Sequence, residues 1–111
     1  MAYDEGLAQR IREALEDLTE LEEKKMFGGI CFLVNGNMAC GVYKDFLIVR
    51  VGPEVYKEAL TRLHAKEFDI TGRPMKGWVM VSEDGYAGDH DLFEWVRQGI
   101  DFAGTLPLKI K

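Results

Sequence analysis

Apolar residues recur three and four positions apart at the start of the chain, then gather into short continuous runs within residues 25–51. Leu7, Ile11, Ala14, Leu15, Leu18 and Leu21 form a helical stripe that predicts a helix over residues 4–22, with Asp4 placed as its N-cap. Glu13, Glu16, Asp17 and Glu20 fill the opposite side, which is either a solvated face or a docking surface for a protein.

The stretch 25–51 holds three short β-prone runs separated by Asn35-Gly36 and Lys44-Asp45, the pattern of an antiparallel meander. Asn-Gly favours a two-residue type I′ turn, because both central positions need φ > 0. That turn pairs Val34 with Asn37, Leu33 with Met38, Phe32 with Ala39 and Cys31 with Cys40. The second turn pairs Tyr43 with Phe46, Val42 with Leu47 and Cys40 with Val49. Alternation along a strand then assigns Cys31, Leu33, Met38, Cys40, Val42, Leu47, Val49 and Val51 to one face. Ile30, Phe32, Val34, Ala39, Gly41, Tyr43, Phe46, Ile48 and Arg50 fall on the other. Both faces are apolar, whereas a sheet with one wet side alternates apolar with polar. Something must therefore cover each side.

Gly28-Gly29 sits inside the first strand pattern and marks a bulge, a close approach of backbone, or a place where a ligand or partner meets the main chain. Gly52-Pro53 ends the meander, and Val55, Tyr56, Ala59, Leu60 and Leu63 give a short helical stripe behind it. Residues 66–70 read as an edge strand, 71–77 as a proline-containing turn, 78–81 as a fifth strand and 82–88 as a polar loop. Leu92, Val96, Ile100 and Ala103 then form a last helix, with Asp89 or Asp91 as cap, Gly104 at its end and Pro107 beyond. The expected fold is α+β: a mostly antiparallel five-stranded sheet flanked by helices, in the order α-β-β-β-α-β-β-α, as one domain over 1–111.

Composition agrees with a folded globular chain, since 47% of residues are apolar and 30% charged. No run reaches the ~20 apolar residues of a membrane span, and the N-terminus has neither the basic nor the apolar part of a secretory signal. A cytoplasmic location and no membrane association are expected. The net charge of −5 is uneven: residues 1–23 and 81–111 are acidic, while 24–80 carry an excess of bases. Direct nucleic-acid binding is therefore not the expectation for the whole chain, although the basic 24–80 region keeps it as an alternative.

Few groupings carry chemistry. Cys31 and Cys40, placed opposite one another by the register above, are either reduced core thiols or a redox pair. No second cysteine pair or histidine at ligand spacing supports zinc, and His64 and His90 stand apart from each other. Phosphate-binding loops, nucleophile elbows and zinc-protease helices are missing from the sequence, so no cofactor and no catalytic residue is expected. The best binding surface is the segment carrying Arg73, Lys76 and Trp78, two cations beside a tryptophan on a proline-stiffened loop that could meet an anion or an acidic partner. Arg50, a cation on an otherwise apolar face, either snorkels at the edge or pairs with an acid, including one across a subunit interface.

Residues 25–38 (Lys-Met-Phe-Gly-Gly-Ile-Cys-Phe-Leu-Val-Asn-Gly-Asn-Met), 47–51 (Leu-Ile-Val-Arg-Val), 68–81 and the Trp-Val of the last helix resemble the TfoX N-terminal domain family. The likeness runs over nearly the whole chain, as a stand-alone domain without the second, C-terminal domain of the full-length TfoX or Sxy proteins. It implies an α+β fold, often homodimeric, and a link to transcriptional regulation of competence. The resulting expectation is a non-enzymatic interaction or regulatory module, a homodimer that recruits a protein partner. The alternatives are a small-ligand-binding protein or weak enzyme, with a pocket between sheet and last helix near Phe93, Trp95 and Trp78, and direct nucleic-acid binding through 24–80.

Overall fold

A computed structural model describes residues 3–16, 21–26, 28–69 and 75–107. The elements run α1 (Glu5–Ala14), β1 (Leu21–Met26), β2 (Gly29–Val34), β3 (Asn37–Tyr43), β4 (Phe46–Arg50), α2 (Tyr56–Leu60), β5 (Ala65–Glu67), β6 (Trp78–Val81), α3 (Glu83–Tyr86) and α4 (Asp89–Gly104). The strands form one six-stranded antiparallel sheet in the order β1-β2-β3-β4-β6-β5. The fold is α+β, as expected, with six strands rather than five.

The additional strand is β1, where the sequence predicted the end of the first helix. Asp4 does cap α1, its carboxylate accepting from the Leu7 N–H at 3.0 Å. Leu7, Ile11 and Leu15 are buried, but the helix stops at Ala14 and Leu21 belongs to a strand. Leu21-Glu-Glu-Lys-Lys has good helix formers at a spacing that continues the stripe. Pairing with all six residues of β2 overrides that local preference, because β2 otherwise leaves a row of backbone groups without partners.

Both hairpin turns form where the sequence puts them. Asn35 and Gly36 have φ of 53° and 80°, the left-handed pair that a type I′ turn requires. From Asn35-Gly36 the register runs Val34↔Asn37 and Leu33↔Met38, then shifts, so that Phe32 opposes Cys40, Cys31 opposes Gly41 and Ile30 opposes Val42. Ala39 is the extra residue of a β-bulge. The shift exchanges faces on one side of it. Ile30 and Phe32 join Cys40, Val42, Leu47, Val49, Val51, Val79 and Val81 against the helices, while Cys31, Leu33 and Met38 join Tyr43, Phe46, Ile48 and Met80 on the other face. The face assignment drawn from an unbulged hairpin is thus corrected for β2, for Met38 and for Ala39, which lies in the helix-side cluster.

The main core lies between the first of these faces and α1 and α4, with Trp95, Val96 and Ile11 almost wholly excluded from solvent. α4 crosses close to the bulge, and a β-carbon on Gly99 would strike the Ala39 carbonyl. Gly29 is a close backbone approach as well, since a β-carbon there would meet the Val42 carbonyl.

The second face is closed by the chain itself. Phe68, just past β5, lies over it and is 2% exposed, and beneath it Cys31 and Ile48 are fully buried. The Met75 N–H donates to the Phe68 carbonyl at 3.0 Å, which ties the start of the β5–β6 connection to its end. The sequence argument that both faces must be covered holds, and among the described residues the second cover comes from Phe68 rather than from a helix.

Candidate functional site

Around the Phe68-centred cluster stands a rim of half-buried aromatic side chains, each with a cation against it. The Arg50 guanidinium lies 5.2 Å from the Trp78 ring centroid and 5.5 Å from that of Phe102. Lys66 Nζ sits 4.7 Å from the Phe46 centroid, and Lys44 Nζ 5.5 Å from that of Tyr43. Phe68 and Trp78 are 6.2 Å apart, tilted by 45°. The strand residues come together for a simple reason: β4 pairs Arg50 with Trp78, and β5 pairs Lys66 with Met80, so strand alternation puts them on one side, while Phe102 reaches Arg50 from α4 at the end of the sheet.

Arg50 therefore takes neither of its expected roles in full. Among the described residues it has no acidic partner, and its guanidinium lies within cation–π reach of two rings at the end of the sheet. Burial there lowers its pKa from the ordinary value. Trp78 is half-buried beside it, and Lys76 is exposed in the turn that leads into β6. Arg73 lies outside the described residues. Of the residues singled out in the sequence, Arg50 and Trp78 meet in the rim and Lys76 is not among its contacts; Lys44, Lys66, Phe46 and Phe102 were missed. The alternation already aligned Phe46 with Arg50, and Lys66 needed the β5–β6 register to be seen.

Cys31 and Cys40 are both buried free thiols. The bulge separates them onto opposite faces, so the directly opposed pair read from the sequence is corrected. Burial pushes Cys31 up to about 11, an effect that the nearby Lys24 ammonium partly offsets. Cys40 is raised further, again chiefly by burial. Neither environment favours a reactive thiolate.

The pocket expected near Phe93, Trp95 and Trp78 does not form from those residues. Trp95 is packed in the main core with Arg62 stacked on it at 3.8 Å, Trp78 lies across the sheet, and Phe93 is 46% exposed on the outer side of α4. Phe93 instead lines a cleft of about 330 Å³ between α1 and α4, with Arg10, Glu13, Ala14, Asp89 and Leu92. Arg10 spans it, bonding the Ala87 carbonyl at 3.1 Å and the Asp89 carboxylate at 3.0 Å. His90 is exposed and 3.6 Å from Glu94 one turn on, and His64 is exposed in a turn after α2. Among the described residues no group of three His, Cys, Asp or Glu side chains is arranged to hold a metal, and no helix is long and apolar enough to cross a membrane.

A six-stranded antiparallel sheet with its long helices on one side, and Phe68 closing the other, defines a small α+β domain whose distinctive surface is the cation–aromatic rim. The family model of the TfoX N-terminal domain matches residues 13–103, and the chain belongs to that family. Searches of curated proteins and of solved structures returned no match.

Proposed function

We propose that the domain is a non-enzymatic interaction module, serving transcriptional regulation of the competence type from which its family takes its name. In this reading it works in the cytoplasm as a homodimer that recruits a protein partner. The observation that supports it most is the rim formed by Arg50–Trp78–Phe102, Lys66–Phe46 and Lys44–Tyr43. On a chain of net charge −5, this is a local concentration of cations backed by apolar surface, suited to an acidic segment of another protein. A homodimer does not need the second sheet face, since Phe68 already covers it.

The test is a tagged pull-down from the native cell, with and without nuclease, comparing the wild-type chain with an Arg50→Ala/Lys66→Ala variant. Capture of a transcription component that survives nuclease and is lost in the variant supports the reading. Capture that nuclease abolishes would replace the protein partner with nucleic acid. Equal capture by both forms would move the partner off the rim.

The α1–α4 cleft favours a second reading, a small-ligand protein, with Arg10 as the polar anchor and Phe93 as apolar wall. A metabolite that raises the melting temperature of the wild type but not of Phe93→Ala would support it.

A further inference from the structure

β1 ends the sheet order, so among the described residues one of its edges has no strand beside it. It is six residues long, Leu21-Glu22-Glu23-Lys24-Lys25-Met26, whereas β5 at the opposite end has three. Exposed edges of that length invite pairing, and proteins guard them by shortness or by charges that repel an approaching strand. Shortness serves β5. The charges of β1 do the reverse: read backwards, Glu-Glu-Lys-Lys becomes Lys-Lys-Glu-Glu, so a second copy arriving antiparallel meets opposite charge.

We propose that β1 pairs antiparallel with β1 of a second copy about a two-fold axis, joining two sheets into one. The inference rests on the homodimer reading and names its interface. Symmetry restricts the register. A two-fold axis perpendicular to the sheet keeps each side chain on its own face, so only residues of like face can oppose one another. Pairing with β2 places Glu22 and Lys24 with Leu33 and Cys31 on the Phe68 side, and Glu23 on the helix side, where it meets Arg12 of α1.

Two registers overlap well. Centred on Lys24, the pairing sets Glu23 against Lys25 of the second copy twice over and brings the two Lys24 ammonium groups together at the axis, with no ion pair among the described residues to offset them. Centred on Glu23, it sets Glu22 against Lys24 of the second copy twice over and brings the two Glu23 side chains together at the axis. Each Glu23 carboxylate already accepts from the Arg12 guanidinium at 2.7 and 2.9 Å, which neutralises it. Both registers make two opposite-charge pairs, so the like pair at the axis decides: Arg12 neutralises Glu23 and no described acid pairs with Lys24, which selects the register centred on Glu23.

Sedimentation velocity on the whole chain at high micromolar concentration tests this. The wild type is expected to be a dimer. Glu22→Lys sets lysine against lysine at both symmetry-related pairs and weakens association by roughly tenfold or more. The charge swap Glu22→Lys/Lys24→Glu restores attraction and the dimer, an outcome that a merely misfolded variant cannot give. A wild type that stays monomeric overturns the homodimer reading and this interface together. A wild-type dimer untouched by Glu22→Lys, or a swap that fails to restore it, leaves the homodimer reading standing and overturns the β1 interface.

Discussion

Cys31 and Cys40 sit on neighbouring strands but point to opposite faces of the sheet, Cys31 opposing Gly41 and Cys40 opposing Phe32. The one-residue shift at Ala39 is the cause. A disulfide needs β-carbons roughly 3.5–4.5 Å apart and directed at each other, so the sheet itself would have to come apart to make this one. Under mild oxidation the folded monomer is expected to keep two thiols that react with a thiol reagent only after denaturation. A protected intramolecular disulfide found by mass spectrometry would contradict the register.

Alkaline pH should unfold the domain early. Cys31 is raised by burial from 9.0 to about 11, and Tyr86 from 10.0 to about 12, chiefly by burial with acidic neighbours adding to it. Both groups are neutral when protonated. Above its ordinary pKa each therefore loses its proton in the unfolded chain while the folded chain keeps it. The folded state then binds more protons, and stability falls as pH rises. The urea midpoint is expected to hold below pH 9 and drop steadily from there towards about 11. Tyr86→Phe should flatten the upper part of that decline, at the cost of the 2.6 Å hydrogen bond from the Tyr86 hydroxyl to the Asp45 carbonyl. A midpoint constant across the range would contradict the burial of these groups.

Phe68 closes the second core, and replacing it isolates that role. Phe68→Ala removes a side chain that is 2% exposed, a change that typically costs about 3–5 kcal/mol. The variant should also open a path to Cys31, which shares a cluster with Phe68, and leave Cys40 in the main core protected. Urea unfolding gives the first number, and peptide mapping after brief native alkylation gives the second. Equal labelling of both cysteines would mean that the two clusters do not open independently.

The hairpins were legible in the sequence because their information is local: Asn35-Gly36 dictates a turn, and Lys44-Asp45 follows at a distance that keeps apolar residues paired. The bulge was not legible. Ala39 carries no signal that distinguishes it from its neighbours, and its placement answers to α4 packing above it, a contact 60 residues away in sequence. The start of β1, Leu21 and Glu22, falls in the predicted helix because Leu18 and Leu21 extend the helical period, while its strand partner lies beyond the window that periodicity can see. Of the candidate surface, Arg50 and Trp78 stood out by type, a cation among apolar residues and a tryptophan in a basic loop. Lys44 and Lys66 looked like ordinary surface lysines until the sheet order gathered them.

Gly99 should tolerate no side chain. Its position on α4 faces the Ala39 carbonyl at the bulge, so a methyl group must push the helix away from the sheet. Gly99→Ala removes a flexible residue from a helix interior, which alone would favour the helix by roughly 0.5–1 kcal/mol. The overpacking cost of about 1–3 kcal/mol opposes that gain and exceeds it. A net loss in urea unfolding is expected. Gly104→Ala serves as the control, since a β-carbon there has nothing within 4 Å. A stabilised Gly99→Ala would show that α4 does not rest on the bulge.

Arg50 offers the sharpest separation of folding from binding. Its guanidinium is held between Trp78 and Phe102, rings contributed by β6 and α4, so it joins the two sides of the sheet at their common end. Cation–π contacts contribute about 0.5–1 kcal/mol when exposed and about 2 when desolvated, and Arg50 is partly buried, which places Arg50→Ala at a loss of about 1–2 kcal/mol. Two further substitutions divide that loss. Arg50→Met keeps the apolar stem and loses the charge, while Arg50→Lys keeps the charge and loses the plane that stacks. If stacking dominates, lysine should recover less than half of what alanine loses, and methionine should do about as well as lysine. If charge dominates, lysine should approach the wild type. The same three proteins, all folded at ambient temperature, then go into the pull-down. A partner that reads the rim as a cationic surface keeps Arg50→Lys and loses Arg50→Met, whatever order the two take in stability.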